Sequence, residues 1–364
     1  LNWTPRTEWA ARLNAIPFVD PAKAIDLLDG LGPDRLPRAG DSDWATTGGL
    51  TPDRAARWRG AALSFDAEGE RRKADALGAR LLVMGDRDYP GLLAGLPDAP
   101  LALYARGTLS EATSVAVVGS RAPTEYGRRM AKRFAGGLAR RRVVVVSGLA
   151  RGIDAEAHEA ALDAGGTTWA VLGSGLGEPY PPDNIDLFHR IVSEGGCVVS
   201  EYPLGLAPSK GSFPRRNRII AGLSWATVVV EGRNSSGSMS TAKKATEYGR
   251  DVLAVPGPVD SPMSEAPHRL LRDGARVAAA VEDVLAVLPA GAGAGPVTPR
   301  PALPAADGDE AAVMAHLRGE SLSLDELARL TGLDMGRLSL IMFGLEIKEL
   351  VSAVPGQRYA KKTL

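Results

Sequence analysis

Six short apolar runs, each stopped by a small-residue, acidic or proline turn, constrain this chain more than any other feature. Val115–Val118 ends in Gly119, and Val143–Val146 in Ser147-Gly148. Trp169–Leu172 ends in Gly173, Cys197–Val199 in Ser200-Glu201, Thr227–Val230 in Glu231, and Leu253–Val255 in Pro256-Gly257. Each run is aliphatic or β-branched and polar on neither face, the texture of parallel strands buried on both sides. Helix-period segments such as Tyr126–Arg140 and Ala155–Ala164 lie between them. Strand alternating with helix gives right-handed βαβ units. The expected fold class is therefore α/β, an extended Rossmann-like doubly wound sheet. Such sheets take ligands beyond the carboxyl ends of their strands, where all of these turns fall.

Texture divides the rest of the chain. Residues 1–75 are helix-like and hold four of the six tryptophans, and 76–288 carry the alternation. Residues 289–308 are rich in Ala, Gly and Pro without apolar periodicity, a linker by composition. Residues 309–364 form a compact tail domain. Lys plus Arg equals Asp plus Glu at 43 each, so any nucleic-acid role must rest on local patches. Cys197 is the single cysteine, which excludes an internal disulfide and cysteine-based zinc sites. No apolar run approaches the roughly 18–20 residues of a membrane helix, and no signal-peptide pattern is visible. The expectation is a cytoplasmic protein with no membrane segment.

Four turns carry candidate chemistry. Gly119-Ser120-Arg121 and Ser147-Gly148-Leu149-Ala150-Arg151-Gly152-Ile153-Asp154 put small residues and an arginine between a strand and a helix. Such residues let backbone N–H groups approach an oxyanion at a helix N-terminus, or they serve only a tight turn. The dinucleotide fingerprint and the P-loop pattern are both absent, so no cofactor is expected. Lys210-Gly-Ser-Phe213-Pro-Arg215-Arg216-Asn217-Arg218 places four cations and an aromatic within nine residues. Gly211 and Pro214 predict a turn before a helix beginning near Arg216. Cations there oppose the helix dipole, which suggests an anion that relieves them. Ser235-Ser-Gly-Ser238-Met-Ser-Thr241-Ala-Lys243-Lys244 again sets hydroxyls before a helix, as caps or as phosphate ligands. Residues 119–157 hold nine Arg/Lys against three Asp/Glu, and 210–250 hold eight against two. Two such clusters at one sheet edge fit a groove that tracks a nucleic-acid backbone.

These residues resemble the DprA/Smf family across about 76–288. The match joins Gly119-Ser120-Arg121 and Tyr126-Gly127 to Ser147-Gly148-x-Ala150-x-Gly152-Ile153-Asp154 with His158. It continues through Gly173-x-Gly175, Tyr180-Pro181, Asn184 and Ser200-Glu201-x-Pro203, then Phe213-Pro214-x-Arg216-Asn217-Arg218-Ile219-Ile220. Ser236-Gly237-Ser238, Thr241-Ala242 and Pro256-Gly257 close it. The resemblance implies a cytoplasmic, homodimeric recombination mediator that binds incoming single-stranded DNA in natural transformation and loads RecA onto it, with no catalytic cycle. It maps a DNA groove onto Gly119, Ser120, Arg121, Arg151, Lys210, Phe213, Arg216, Asn217 and Arg218. The charge and turn readings add Gly148, Arg215, Ser238, Lys243 and Lys244. Ala266 and His268 depart from the glycine and asparagine usual in the family, and His158, on an apolar helix pattern, reads as structural.

Residues 13–32 resemble a degenerate helix-hairpin-helix of SAM-like type, with Phe18, Val19 and Asp20 where phosphate-gripping glycines would stand. The tail resembles a winged-helix domain. Its marks are a Ser323/Glu326 capping box, a turn at Gly332, a recognition helix Met335–Leu350 and a wing tip at Pro355-Gly356. That helix offers only Arg337 and Lys348 as cations, leaving Arg358, Lys361 and Lys362 for duplex DNA, or a protein contact instead. Two other classes stay open. One is a nucleotide hydrolase of the same Rossmann superfamily, although Asn234–Ala242 lacks the acid those enzymes use. The other is a duplex-DNA regulator acting through the winged helix.

Overall fold

Nearly every strand predicted from an apolar run forms within two residues of the expected limits. The computed structural model describes residues 3–292, 308–317, 321–347, 351–354 and 358–361. The chain divides into two units, Leu1–Arg300 and Pro301–Leu364. The first opens with α1 (Pro5–Asn14), α2 (Pro21–Arg35), α3 (Asp41–Thr47), α4 (Pro52–Ser64) and α5 (Ala67–Leu77). There follow β1 (Ala79–Val83), α6 (Gly91–Ala94), β2 (Ala102–Gly107), β3 (Ser114–Val118), α7 (Glu125–Arg140), β4 (Val144–Ser147), α8 (Ile153–Asp163) and β5 (Thr168–Val171). Next come α9 (Ile185–Ser193), β6 (Cys197–Ser200), α10 (Ser212–Gly222), β7 (Ala226–Val229) and α11 (Gly237–Glu247). The unit ends with β8 (Asp251–Ala254), α12 (Glu265–Arg272), β9 (Arg276–Val277) and α13 (Val281–Leu285).

Among the described residues one sheet runs β1-β2-β6-β5-β4-β3-β7-β8-β9. From β6 to β9 all neighbours are parallel, while β1 and β2 are antiparallel additions at one edge. This is the α/β doubly wound sheet that the alternation implied. Its two faces divide each strand by the two-residue period. Val115 and Val117 of β3 pack with Phe134 and Leu138 of α7 and Ile153 of α8. Ala116 and Val118 pack with Ile219 and Ile220 of α10 and Ala242 of α11.

The sequence reading did not include β1, β2 or β9. It also started α10 too late. The helix begins at Ser212, with Pro214 inside its first turn, where a missing N–H leaves no intrahelical bond unmade.

The N-terminal helices share a core with the sheet edge. Trp9, Leu13, Leu27, Leu28 and Trp44 are continuous with Leu81, Tyr104, Phe188 and Leu204. Asp20 spends its carboxylate as the N-cap of α2, accepting from Ala22 N–H at 3.1 Å. A buried carboxylate fixes these helices to the sheet. Glu201, just past β6, is ion-paired with buried Arg218 and lies 3.3 Å from Arg215 Nε. Arg215 Nη2 also donates to Val19 O at 3.0 Å, and Asn14 Nδ2 donates to Glu201 O at 2.6 Å.

The second unit contains α14 (Gly308–His316), β10 (Leu322–Ser323), α15 (Leu324–Thr331), α16 (Met335–Ile347), β11 (Val351–Val354) and β12 (Arg358–Lys361). Its strands pair antiparallel in the order β10-β12-β11. Val313, Leu327, Leu338, Met342 and Leu345 form its core, a winged-helix arrangement. Ser323 and Glu326 make the capping box reciprocally, at 3.2 and 2.7 Å. Gly332 ends α15 at φ +71°, a left-handed conformation that suits glycine. The expected wing tip Pro355-Gly356, Lys348, Lys362 and linker residues 293–307 lie outside the described residues. Among the described residues no helix is long and apolar enough to cross a membrane.

Removing one partner of a buried pair leaves the other charge uncompensated. Glu201→Ala is therefore expected to destabilise the first unit by about 3–5 kcal/mol through stranded Arg218. Urea unfolding followed by tryptophan fluorescence checks this, and an unchanged midpoint would show the pair to be dispensable.

Candidate nucleic-acid interface

The order of strands reverses around β3. Successive strands β4, β5 and β6 step away on one side, and β7 and β8 on the other. Ligands of open α/β sheets bind at such a switch point. A cleft of about 810 Å³ opens there, between the turns after β3 and β7 and the start of α10. Gly119, Ser120, Arg121, Lys210, Phe213, Arg216, Asn217 and Ser238 line it. A smaller recess adjoining it adds Gly148 and Arg151.

The turns are held by groups that the sequence reading took for ligands. Arg216, 3 % exposed, donates to Gly148 O at 2.5 Å and to Val171 O, tying the ends of β4 and β5 together. Burial lowers its pKa to about 10, so it stays charged at neutral pH. A Cβ on Gly148 would lie 2.5 Å from that guanidinium, so any larger residue would have to displace it. Asp154 accepts Gly148 N–H at 3.2 Å, and burial raises its pKa. Leu149 stands at φ +55° between two partners. Its N–H donates to His158 Nε2 at 3.3 Å, and its carbonyl accepts from Asn184 Nδ2 at 2.9 Å.

Hydrogen bonding fixes the His158 tautomer. The Thr168 hydroxyl donates to Val145 O at 2.7 Å, so it accepts the Nδ1 proton of His158 at 2.6 Å. The imidazole is neutral, and burial with the nearby Arg216 charge lowers its pKa to about 3.

The two glycine turns also lock onto each other. Ile153 N–H donates to Ser120 O at 3.0 Å, and a Cβ on Gly152 would come within 2.4 Å of that same oxygen. On the far side, buried Glu231 accepts from Thr124 N–H at 2.9 Å and Thr124 Oγ1 at 2.6 Å, fixing the entry to α7.

The cations at the start of α10 find their counter-ion inside the fold. Glu201 pairs with both Arg215 and Arg218, one carboxylate against two guanidiniums, and neither arginine lines the cleft. Glu201 and strand-end carbonyls thus answer part of the dipole conflict from inside the fold. Asn217 bridges Arg216 Nε, at 3.2 Å, to Gly237 O at 3.1 Å, at the N-terminus of α11. Ser238 shares a 2.8 Å hydrogen bond with Ser236, the N-cap of α11. Lys243 and Lys244 stand further along α11 and do not line the cleft. Lys243 faces Glu247 at 3.8 Å, and Lys244 pairs with Asp98 at 3.1 Å and Glu247 at 2.9 Å. Arg151 is ion-paired with Asp183.

What remains is a compact receptive surface. Arg121, Lys210 and Arg233 are exposed, and no ion pair engages them among the described residues. Phe213 packs against Tyr180 with ring centroids 5.8 Å apart, and the Arg121 guanidinium stands 5.3 Å from the Phe213 centroid. The sequence reading had not singled out Arg233. Its signal was its position three residues after a strand run, in a segment already counted as basic. Tyr180 stood in the motif without a role. In the winged-helix unit, Arg337 pairs with Asp309 at 2.5 Å and Arg358 with Glu326 at 3.0 Å.

Fold and site together define a Rossmann-like protein with a cationic, aromatic-lined crevice, joined to a winged-helix unit. The family model for DNA recombination-mediator protein A matches residues 80–289, and that for the DprA winged helix domain matches 297–357. Protein Smf of Escherichia coli is 40 % identical over 275 residues, 74 % of each chain. The structure of DNA processing protein A from Streptococcus pneumoniae superposes with a TM-score of 0.68 at 34 % identity, covering 79 % of this chain and 99 % of that one. DNA processing protein A from Helicobacter pylori, whose structure concerns its single-stranded DNA binding mode, gives 0.52 at 30 % identity, covering 57 % and 94 %. The chain belongs to the DprA/Smf family.

The neutral His158 makes stability depend on pH. Its folded pKa lies below the ordinary value of 6.5. The stability it contributes is therefore complete above that value and is lost as pH falls toward about 3, at up to about 1.4 kcal/mol per pH unit. His158→Gln is expected to flatten this slope in urea unfolding between neutral and acidic pH. Parallel slopes would assign the acid sensitivity to other groups.

Proposed function

We propose that this chain binds single-stranded DNA in the cleft between the β3 and β7 turns, and that a homodimer passes the strand to RecA. One observation carries the reading. Arg121, Lys210 and Arg233 lack carboxylate partners among the described residues and line the same cleft as the Phe213–Tyr180 pair. Cations that follow phosphates beside aromatics that stack on bases are the chemistry of sequence-tolerant single-strand binding. The single-strand binding described for the H. pylori relative supports the same chemistry here. Membership of the family supports including handover to RecA, a role in natural transformation and a cytoplasmic location in this proposal.

The reading assigns no catalysis. Asp154 and Glu231, buried carboxylates beside the cleft, are committed to backbone amides and a threonine hydroxyl. The winged helix takes an auxiliary role, because Arg337 and Arg358 already hold acids of their own unit.

Fluorescence anisotropy with oligo-dT across a salt series tests this. Arg121→Ala and Lys210→Ala should each weaken binding about ten-fold and lower the salt slope by roughly 0.7. Phe213→Ala should cost about 1–3 kcal/mol with little change in slope. Retained affinity in all three variants would sink the cleft. Arg216→Ala is a poor probe, since it removes the guanidinium that holds the β4 and β5 turns.

A further inference from the structure

Helix α7 starts directly after the Arg121 turn and carries more positive charge than its neighbours neutralise. Arg128 and Lys132 are satisfied by Glu156, at 2.7 and 3.1 Å, and Arg141 by Glu282 at 3.7 Å. Arg129, Arg133 and Arg140 have no carboxylate partner among the described residues, and Arg129 and Arg133 are exposed. At 100° per residue Tyr126, Arg129, Arg133 and Arg140 fall within about 60° of one another. They form one stripe, flanked by the paired Arg128 and Lys132 on one side and by Arg141 on the other. The three arginines span about 16 Å of the helix.

The stripe begins where the cleft ends. Thr124, the N-cap of α7 three residues after Arg121, is held by Glu231. Tyr126 donates its hydroxyl to Pro256 O at 2.5 Å, beyond the carboxyl end of β8, and the Arg129 guanidinium lies 6.0 Å from its ring. An aromatic with a cation over it thus repeats, at the head of α7, the Arg121–Phe213 arrangement of the cleft. Arg129 and Arg133 are i,i+4 neighbours of like charge, a destabilising pair on a helix. The adjacent row of cations has this repulsion answered by Glu156, and the stripe does not.

We infer that the Tyr126–Arg129–Arg133–Arg140 face of α7 is a second phosphate track, taking the part of a single strand that leaves the cleft. This rests on the cleft reading. The partner is a polyanionic backbone, because the stripe offers charge along a line and no enclosed pocket. Its contribution should appear only with strands long enough to reach past the cleft.

The test uses the full chain and two oligo-dT probes, of about six and about twenty-five nucleotides, in a salt series. Arg129→Gln/Arg133→Gln/Arg140→Gln should leave the short probe's affinity unchanged. It should weaken the long probe about ten-fold and lower its salt slope by about 2, near 0.7 for each phosphate left without its arginine. The corresponding triple lysine variant should restore the long-probe affinity, since charge alone is required. Thermal melting of the glutamine variant checks that the fold is intact.

Equal losses with both probes would overturn the track in favour of a general charge effect. An unchanged long probe would overturn it in favour of bridging between two protomers. The cleft reading fails separately, if Arg121→Ala leaves the short probe bound as tightly as before. Long-probe losses confined to the α7 variant would still be legible in that case.

Discussion

The Arg216 guanidinium is the group on which the rest of the site depends. It is a charge drawn out of water to the carboxyl ends of β4 and β5, where it bonds the carbonyls of Gly148 and Val171. Strand-end carbonyls of a parallel sheet have no further strand residue to receive, and a glycine turn leaves them bare. One buried fork satisfies two of them and fixes the separation of two turns. Asp154 supplies nearby negative charge and holds the amide of the residue whose carbonyl Arg216 takes. A side chain at Gly148 would have to displace the same guanidinium. His158, Asn184 and Asn217 then fasten the remaining groups of these turns. The motif thus reads mainly as a scaffold, and most of its polar residues point at backbone.

That explains what the sequence disclosed and what it did not. The strands were legible because a strand buried on both faces has nowhere to carry polar residues, so its run stands out. The antiparallel pair β1–β2, at the sheet edge, carries Arg80 and Arg106 within its strands and was not read from an apolar run. β9 has two residues, both exposed, and leaves no apolar signal. The location of the site was legible too, because strand order and turn chemistry both direct ligands to the carboxyl ends. The allotment of cations was not. Arg215, Arg216 and Arg218 are adjacent in sequence, yet they face Val19 and Glu201, Gly148 and Val171, and Glu201 respectively. Counting charge along a segment cannot separate a cation spent on an internal acid from a free one. Lys210 and Arg233 differ from Arg218 only in what the fold brings near them.

The two halves of the first unit are likewise joined through polar groups. Glu201 receives Arg218 and Arg215 by its side chain and Asn14 by its carbonyl, while Arg215 reaches Val19. The turn between α1 and α2 thus meets the start of α10. Asp20, which would repel a phosphate, serves as a helix cap. These residues pack the N-terminal helices against the sheet, and their roles are legible once their partners are seen.

The sheet's far edge has a consequence for how the protein behaves in a crowded solution. A nine-stranded sheet would ordinarily present long rows of unpaired amides and carbonyls, which other chains can extend. Here β1 packs against α1 and α5, and the opposite edge is β9, only Arg276 and Val277 long. Arg276 carries a charge on that edge and leans onto Asp251 of β8 at 3.1 Å. A neighbouring strand would gain a ladder of two residues at most and would have to approach a cation to make it. At that edge the large sheet thereby offers little template for intermolecular β-pairing.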